Sequence, residues 1–302
     1  MKRTRKEKFI DIIAYVIIFG VYESIKYIPL QLDMVISKIL GNIFYYMAPS
    51  LREKIMYNLK IVFENNLSKD IKNIEFLTKK IISETFLNIF EFSYWTTKTT
   101  EELEKVIEIQ GMDILEKIKK QKKPVIAISG HNGNFIIMLA YLAIKNKNFS
   151  WIERTANNIY LAEFMRRLQK NREIDSISKI NMKEAIIIAQ KWLRKGNILA
   201  LLIDQHSGEG VEVNLLGKKV FAPIGVEILA RKFDCSVIGV FIYRTHRFRH
   251  RIIIEGPYPV QRTKDLKKDT VFNTQMFYNR IEKYVLLHPE QWFTWLHKRF
   301  RH

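Results

Sequence analysis

The sequence predicts an α/β fold: a mainly parallel mixed sheet flanked by helices, preceded by an all-helical, membrane-associating amino-terminal region. Three observations predict it. From Pro124 onward short apolar runs alternate with helical patterns, as in a parallel sheet covered by helices. Before Pro124 the apolar residues recur with helical spacing, with Pro29 and Pro49 as breaks. At the very start, Lys2, Arg3, Arg5, Lys6 and Lys8 precede an uncharged stretch from Ile12 to Tyr22.

That stretch ends at Glu23 and Lys26 and is too short for an ordinary spanning helix, so residues 1–28 read as a surface or shallow membrane anchor. Its basic flank belongs on the cytoplasmic side, against anionic lipid, and no Ala-x-Ala cleavage site follows. Residues 29–120 are expected to be helical, over Leu32 to Tyr46, Ile55 to Phe63, Ile71 to Tyr94 and Glu101 to Lys120. Residues 121–302 form the α/β core. Strands are expected at Val125–Ser129, Ser150–Ile152, Ile198–Ile203, Ser236–Tyr243 and Arg251–Glu255, and helices at Phe135–Ile144, Ala162–Lys170, Lys183–Leu193 and Gly225–Arg231.

With 302 residues and 47% hydrophobic composition the chain can bury a sizeable core and is not disordered. Its 50 Lys and Arg against 31 Asp and Glu give a formal charge of +19, a field that attracts phosphorylated lipid, nucleic acid or an acidic carrier protein. The single cysteine, Cys235, lies in an apolar run; it excludes an internal disulfide and reads as a small buried hydrophobe. No His-x-x-x-His or Cys-x-x-Cys pair supports a metal site, and Gly130-x-x-Gly133 lacks the third glycine and lysine of nucleotide-binding loops. No cofactor is expected. The aromatics are spread through apolar runs, which favours core packing over a nucleic-acid surface.

The segment from Val125 to Phe135 carries the most information. An apolar run stops at Ser129-Gly130-His131-Asn132-Gly133-Asn134, so a buried strand delivers His131 to the carboxyl edge of the sheet, where ligands of open α/β folds bind. A general base is the natural role there; the structural alternative is a turn histidine capping a helix. Other strand ends supply partners. Asp204 and Gln205 follow Ile198–Ile203, and Glu153 and Arg154 follow Ser150–Ile152. The carboxylates could orient a base, and the guanidinium could hold a phosphate or carboxylate.

Three segments together are similar to the lipid A biosynthesis acyltransferases, the lauroyl/myristoyl group. They are Ser129 to Phe135; the Asp204-Gln205 strand end with Asn214 to Lys219 and Pro223-x-Gly225; and Pro289 to Arg299. Leu40-Gly41 and Asn58-Leu59 fall where that family has comparable pairs, so the resemblance covers nearly the whole chain.

The resemblance implies an enzyme on the cytoplasmic face of the inner membrane. It would transfer a fatty acyl chain from acyl carrier protein to a hydroxyl of a lipid A precursor, with no covalent enzyme intermediate. His131 would be the general base, and backbone N–H groups at the following helix start would steady the oxyanion. Candidate substrate contacts are Gly133, Asn134, Arg154, Arg172, Gln205 and Arg299. Trp292, Phe293, Trp295 and Leu296 are expected to pack, while His297, Lys298, Arg299 and Arg301 form an exposed basic end. In one respect the chain departs from the family pattern: the acid five positions after the histidine is Ile136 here. Glu153 or Asp204 would have to replace it. The alternatives are a catalytically weak or inactive lipid-binding relative and, more remotely, a basic nucleic-acid binder.

Overall fold

In the computed structural model the described residues are 5–63, 73–121, 123–178, 182–208 and 210–300. Lys2, Arg3, Arg301 and residues 71 and 72 of the expected third helix lie outside them, as do the side chains of Arg5 and Lys6. Four helices open the chain: α1 (Arg5–Ile25), α2 (Leu30–Met47), α3 (Pro49–Phe63) and α4 (Ile74–Trp95). Pro29 precedes α2 and Pro49 begins α3, as expected of a residue that pre-sets the first helical turn. Helices α2 and α4 approach closely at Gly41, where a Cβ would lie 2.0 Å from Ser83 Oγ.

The expected helix from Glu101 to Lys120 is instead three elements: α5 (Thr100–Glu104), β1 (Ile107–Gln110) and α6 (Met112–Lys120). Gly111, with φ of 83°, turns the chain between the last two, and a Cβ there would meet Ile254 O at 2.1 Å. The amino-terminal part is therefore not all-helical. β1 was hidden because its four residues are too few to show a period of two between charged helical stretches.

The core continues as β2 (Val125–Ser129), α7 (Phe135–Lys145), β3 (Phe149–Glu153), α8 (Ile159–Asn171), β4 (Ile177–Ser178), α9 (Met182–Arg194) and β5 (Ile198–Leu202). Then come β6 (Val211–Leu215), β7 (Lys218–Ala222), α10 (Gly225–Phe233), β8 (Ser236–His246), β9 (Arg249–Glu255) and α11 (Leu266–Leu287), followed by two 3₁₀ turns at Pro289–Gln291 and Phe293–Leu296. The main sheet has the order β1-β9-β8-β2-β5-β3-β4. Every neighbouring pair is parallel except β8 with β9. β6 and β7 form a separate antiparallel hairpin. Its two turn residues, Leu216 and Gly217, both have positive φ, the backbone that matches the twist of a hairpin.

Strand alternation divides the core. Ile126 and Ile128 of β2 pack on one face with α9, α10 and α11, while Val125 and Ala127 pack on the other with α7. Both faces being covered explains why β2 reads as an unbroken apolar run. Cys235 is buried, and burial pushes its thiol up to about 12.

The first two helices present apolar residues outward. Leu32, Val35, Ile39, Ile43 and Tyr46 form an exposed stripe along α2, and on α1 Ile13, Val16 and Ile17 are exposed. Among the described residues no helix is long and apolar enough to cross a membrane.

Candidate active site

The turn between β2 and α7 is clamped from three sides. Gly133 has φ of 53°, and a Cβ there would lie 2.7 Å from Ile242 O, so β8 passes too close for a side chain. Its N–H donates to Gln291 O at 2.8 Å, and its carbonyl accepts from Asn88 Nδ2 at 3.1 Å. The carbonyl of His131 accepts from the Phe293 N–H at 2.9 Å. Asn134 is the N-cap of α7: its Oδ1 accepts from the Ile137 N–H at 3.4 Å. Its Nδ2 donates to Asn88 O and to Glu91 Oε2.

Glu91 belongs to a buried network that the sequence did not reveal. Arg244 of β8 donates Nε and Nη2 to its two oxygens, both at 2.7 Å, and also contacts Glu84 and Asn88. His250 Nε2 lies 3.3 Å from Glu91 Oε2. Burial pushes the Glu91 carboxyl upward, but Arg244 and His250 outweigh it and hold the group well below the usual carboxylate range.

On the other side of the turn stands Asp204, fully buried just beyond β5. Its Oδ1 accepts from His131 Nδ1 at 2.6 Å. Its Oδ2 accepts from the His131 backbone N–H at 2.8 Å, from Trp292 Nε1 at 2.7 Å and from Thr294 Oγ1 at 2.9 Å. Burial works to raise its carboxyl, but the imidazole and these donors overcome that and keep it depressed, so it is an anion at neutral pH. An ionised carboxylate can only accept, which fixes the proton on His131 Nδ1 and leaves Nε2 with its lone pair. Gln205 Nε2 lies 3.3 Å from that nitrogen, and the Phe135 ring stands edge-on to the imidazole at 4.7 Å between centroids.

The imidazole opens onto an apolar cavity of about 710 Å³. Phe92, Phe135, Leu139, Trp151, Met165 and Leu202 contribute to its wall, and Gln205, His206 and His297 are among its polar lining residues. Burial lowers the His297 pKa, with His131 and Lys54 acting in the same direction. Ile136, 39% exposed, lines this cavity beside the imidazole. The N–H groups of Phe135 and Ile136 open α7, where no intrahelical acceptor exists for them.

The structure places His131, Gln205, Arg154, Glu153 and Arg172 along one cavity, with the buried Asp204 in contact with His131, and it engages Glu153 and Arg172 elsewhere. Arg154 lines the cavity, exposed and with no carboxylate partner among the described residues. Glu153 does not reach His131. β5 lies between β2 and β3, so Glu153 is two strand spacings away, roughly 10 Å. Its oxygens accept instead from Trp151 Nε1, Gln169 Nε2 and Ser176 Oγ. Arg172 lines the cavity but is held as a cap: Nη2 donates to the carbonyls of Trp95, Thr96 and Lys98 at the end of α4. Gly133 and Asn134 are buried and build the turn. Arg299, expected in an exposed basic end, is 1% exposed beneath Tyr278 and away from the cavity lining.

The carboxyl-terminal aromatics pack as expected: Trp292 and Trp295 are fully buried, with ring centroids 4.6 Å apart. Asn58, also fully buried, donates to the carbonyls of Trp295 and His297 and ties α3 to this segment. No curated protein matches the chain. The model of one protein family, bacterial lipid A biosynthesis acyltransferase, matches residues 2–302. With the match extending over the turn, the buried aspartate and the carboxyl-terminal segment alike, the chain belongs to the bacterial lipid A biosynthesis acyltransferases and is an acyltransferase.

Proposed function

We propose that the protein transfers a fatty acyl chain from an acyl-carrier-protein thioester to a hydroxyl of a lipid A precursor, with His131 as general base. The observation that carries this reading is the 2.6 Å contact of His131 Nδ1 with the ionised Asp204, which leaves Nε2 basic at an apolar cavity. The acceptor hydroxyl gives its proton to Nε2 as its oxygen attacks the thioester carbonyl. The resulting oxyanion is met by the N–H groups that open α7, where the helix dipole adds positive potential. Collapse breaks the C–S bond, and the imidazolium returns its proton to the leaving thiolate, giving an ester and a free carrier thiol. Asp204 thus takes the part of the acid absent at position 136, and Ile136 extends the apolar wall for the acyl chain. Arg154 and Gln205 are the substrate contacts in this reading.

The exposed apolar stripes of α1 and α2 and the charge of +19 support docking at the cytoplasmic face of the inner membrane, beside anionic lipid and a phosphorylated acceptor. The test is to incubate the protein with a lipid A precursor and an acyl-carrier thioester and follow the mass of the glycolipid. The expected gain is one acyl group, lost in His131→Ala with folding intact. An acylation rate in that variant near the parent's would remove the histidine from the mechanism.

A further inference from the structure

Arg299 is a large polar group with no evident work. It is 1% exposed, its Nε and Nη1 have no hydrogen-bond partner among the described residues, and its Nη2 lies 3.4 Å from the Tyr278 hydroxyl. A buried guanidinium needs a compensating negative charge. In the α/β core most buried carboxylates already face a guanidinium: Glu227 and Asp269 pair with Arg231, and Glu91 pairs with Arg244. Asp204 is the exception. Its ionic contact is the imidazole of His131, which must be neutral to accept a proton.

A short chain of contacts runs from Arg299 to the residue before Asp204. The Tyr278 hydroxyl accepts from Arg299 and donates to the carbonyl of Ile203, the residue before Asp204. Burial raises the Tyr278 hydroxyl, so it remains a neutral spacer. A Cβ on Gly130 would lie 3.3 Å from Asp204 Oδ2 and 3.2 Å from Ile281, one turn along α11 from Tyr278. Asp204 and this part of α11 therefore border the same small volume.

The geometry points to Arg299 as the counter-charge of Asp204, a positioning residue that lets the carboxylate stay ionised while His131 rests neutral. Without it, the buried negative charge would be neutralised by drawing a proton onto the imidazole, and the base would be lost over part of the working pH range. The groups facing His131 are Asp204 and Gln205 after β5, Phe135 on α7, and His297, which Lys54 of α3 also influences; His206 and Arg154 share its cavity. Arg299, buried against Tyr278, is the cation outside this cavity lining.

This inference rests on His131 as the base, and one of its two readouts is independent of turnover. The full-length protein is treated with diethylpyrocarbonate across pH, and the reactivity of His131 is taken as the difference from His131→Gln. In parallel, the acid limb of kcat/KM is measured. Arg299→Met and Arg299→Gln should move both profiles to higher pH by about one unit, whereas Arg299→Lys, which keeps the charge, should leave them in place. Unfolding curves establish that each variant is folded, and Arg299→Gln keeps a planar polar head should the methionine variant fail. Profiles unmoved in a folded neutral variant, or moved equally by lysine, would reduce Arg299 to packing. Loss of acyl transfer in the parent protein with the expected reactivity shift intact would instead count against the acyltransferase mechanism alone.

Discussion

The side-chain amide of Gln291 grips the backbone of Arg244 at two points: Oε1 accepts its N–H at 2.7 Å and Nε2 donates to its carbonyl at 3.1 Å. The main chain of Gln291 at the same time accepts from Gly133 in the His131 turn. One residue thereby fixes β8, which supplies Arg244, to the loop that carries His131. Gln291→Leu would leave both backbone groups of Arg244 buried without partners. It should cost about 2 to 4 kcal/mol of stability. Urea unfolding at neutral pH checks this, and a midpoint unchanged from the parent would refute it.

Asp204→Asn should lower kcat by about 10² to 10⁴ with KM little altered, by analogy with the carboxylate of a serine-protease triad. The amide can present its N–H to the imidazole and so favour the wrong tautomer. Steady-state kinetics on a soluble precursor would show it, and a fall in kcat/KM that came from KM alone would contradict the role.

Acid stability should carry the same signature. Asp204 and Glu91 have folded pKa values below their unfolded ones, near 4. Their contribution is therefore complete above about pH 5 and is lost as pH falls through and below 4. The urea midpoint should drop between about pH 5 and pH 2, and less steeply in Asp204→Asn than in the parent.

Ile136→Glu tests whether position 136 still calls for an acid. With Asp204 already on Nδ1, a carboxylate at 136 adds a charge to an apolar wall, so KM for the acyl donor should rise and kcat should not. A large gain in kcat would show that the aspartate does not fill the family's missing acid.

Leu168 of α8 and Arg172 line both the main cavity and a smaller one bounded by Thr99, Thr100, Glu101 and Asn171. Leu168→Trp should therefore shorten the preferred acyl chain, read as product mass from mixed thioesters. An unaltered chain-length profile would place the acyl group elsewhere.

Membrane docking through the exposed stripe predicts that replacing Val35, Ile39 and Ile43 of α2 with serine shifts the protein toward the soluble fraction at high salt. Salt removes the screened attraction of the basic surface and leaves the apolar contribution to be read. Retention on membranes equal to the parent's would locate the attachment on another face.

That His131 and Asp204 both end strands at one edge of the sheet was legible because each follows an apolar run that reads as a buried strand. What remained open was which carboxylate stood next to β2, since strand order is set by crossovers and not by local pattern; β5 intervening excluded Glu153. The Glu84, Glu91, Arg244 network joins positions some 150 to 160 residues apart in sequence, and no spacing announces it. Arg299 was misread for a related reason. Next to Lys298 it looks like a charged surface, and only its burial against Tyr278 of α11 shows an interior cation.

Asp204 draws its donors from stretches of chain made at very different times. Trp292 and Thr294 follow it by 88 and 90 residues, and His131 precedes it by 73. During synthesis, a nascent chain that has completed β2 and β5 already contains the histidine and the aspartate, yet the carboxylate lacks two of its four donors. The segment carrying the tryptophan must emerge and dock before that buried charge is tolerable. Unfinished chains thus carry His131 and Asp204 without the setting that joins them.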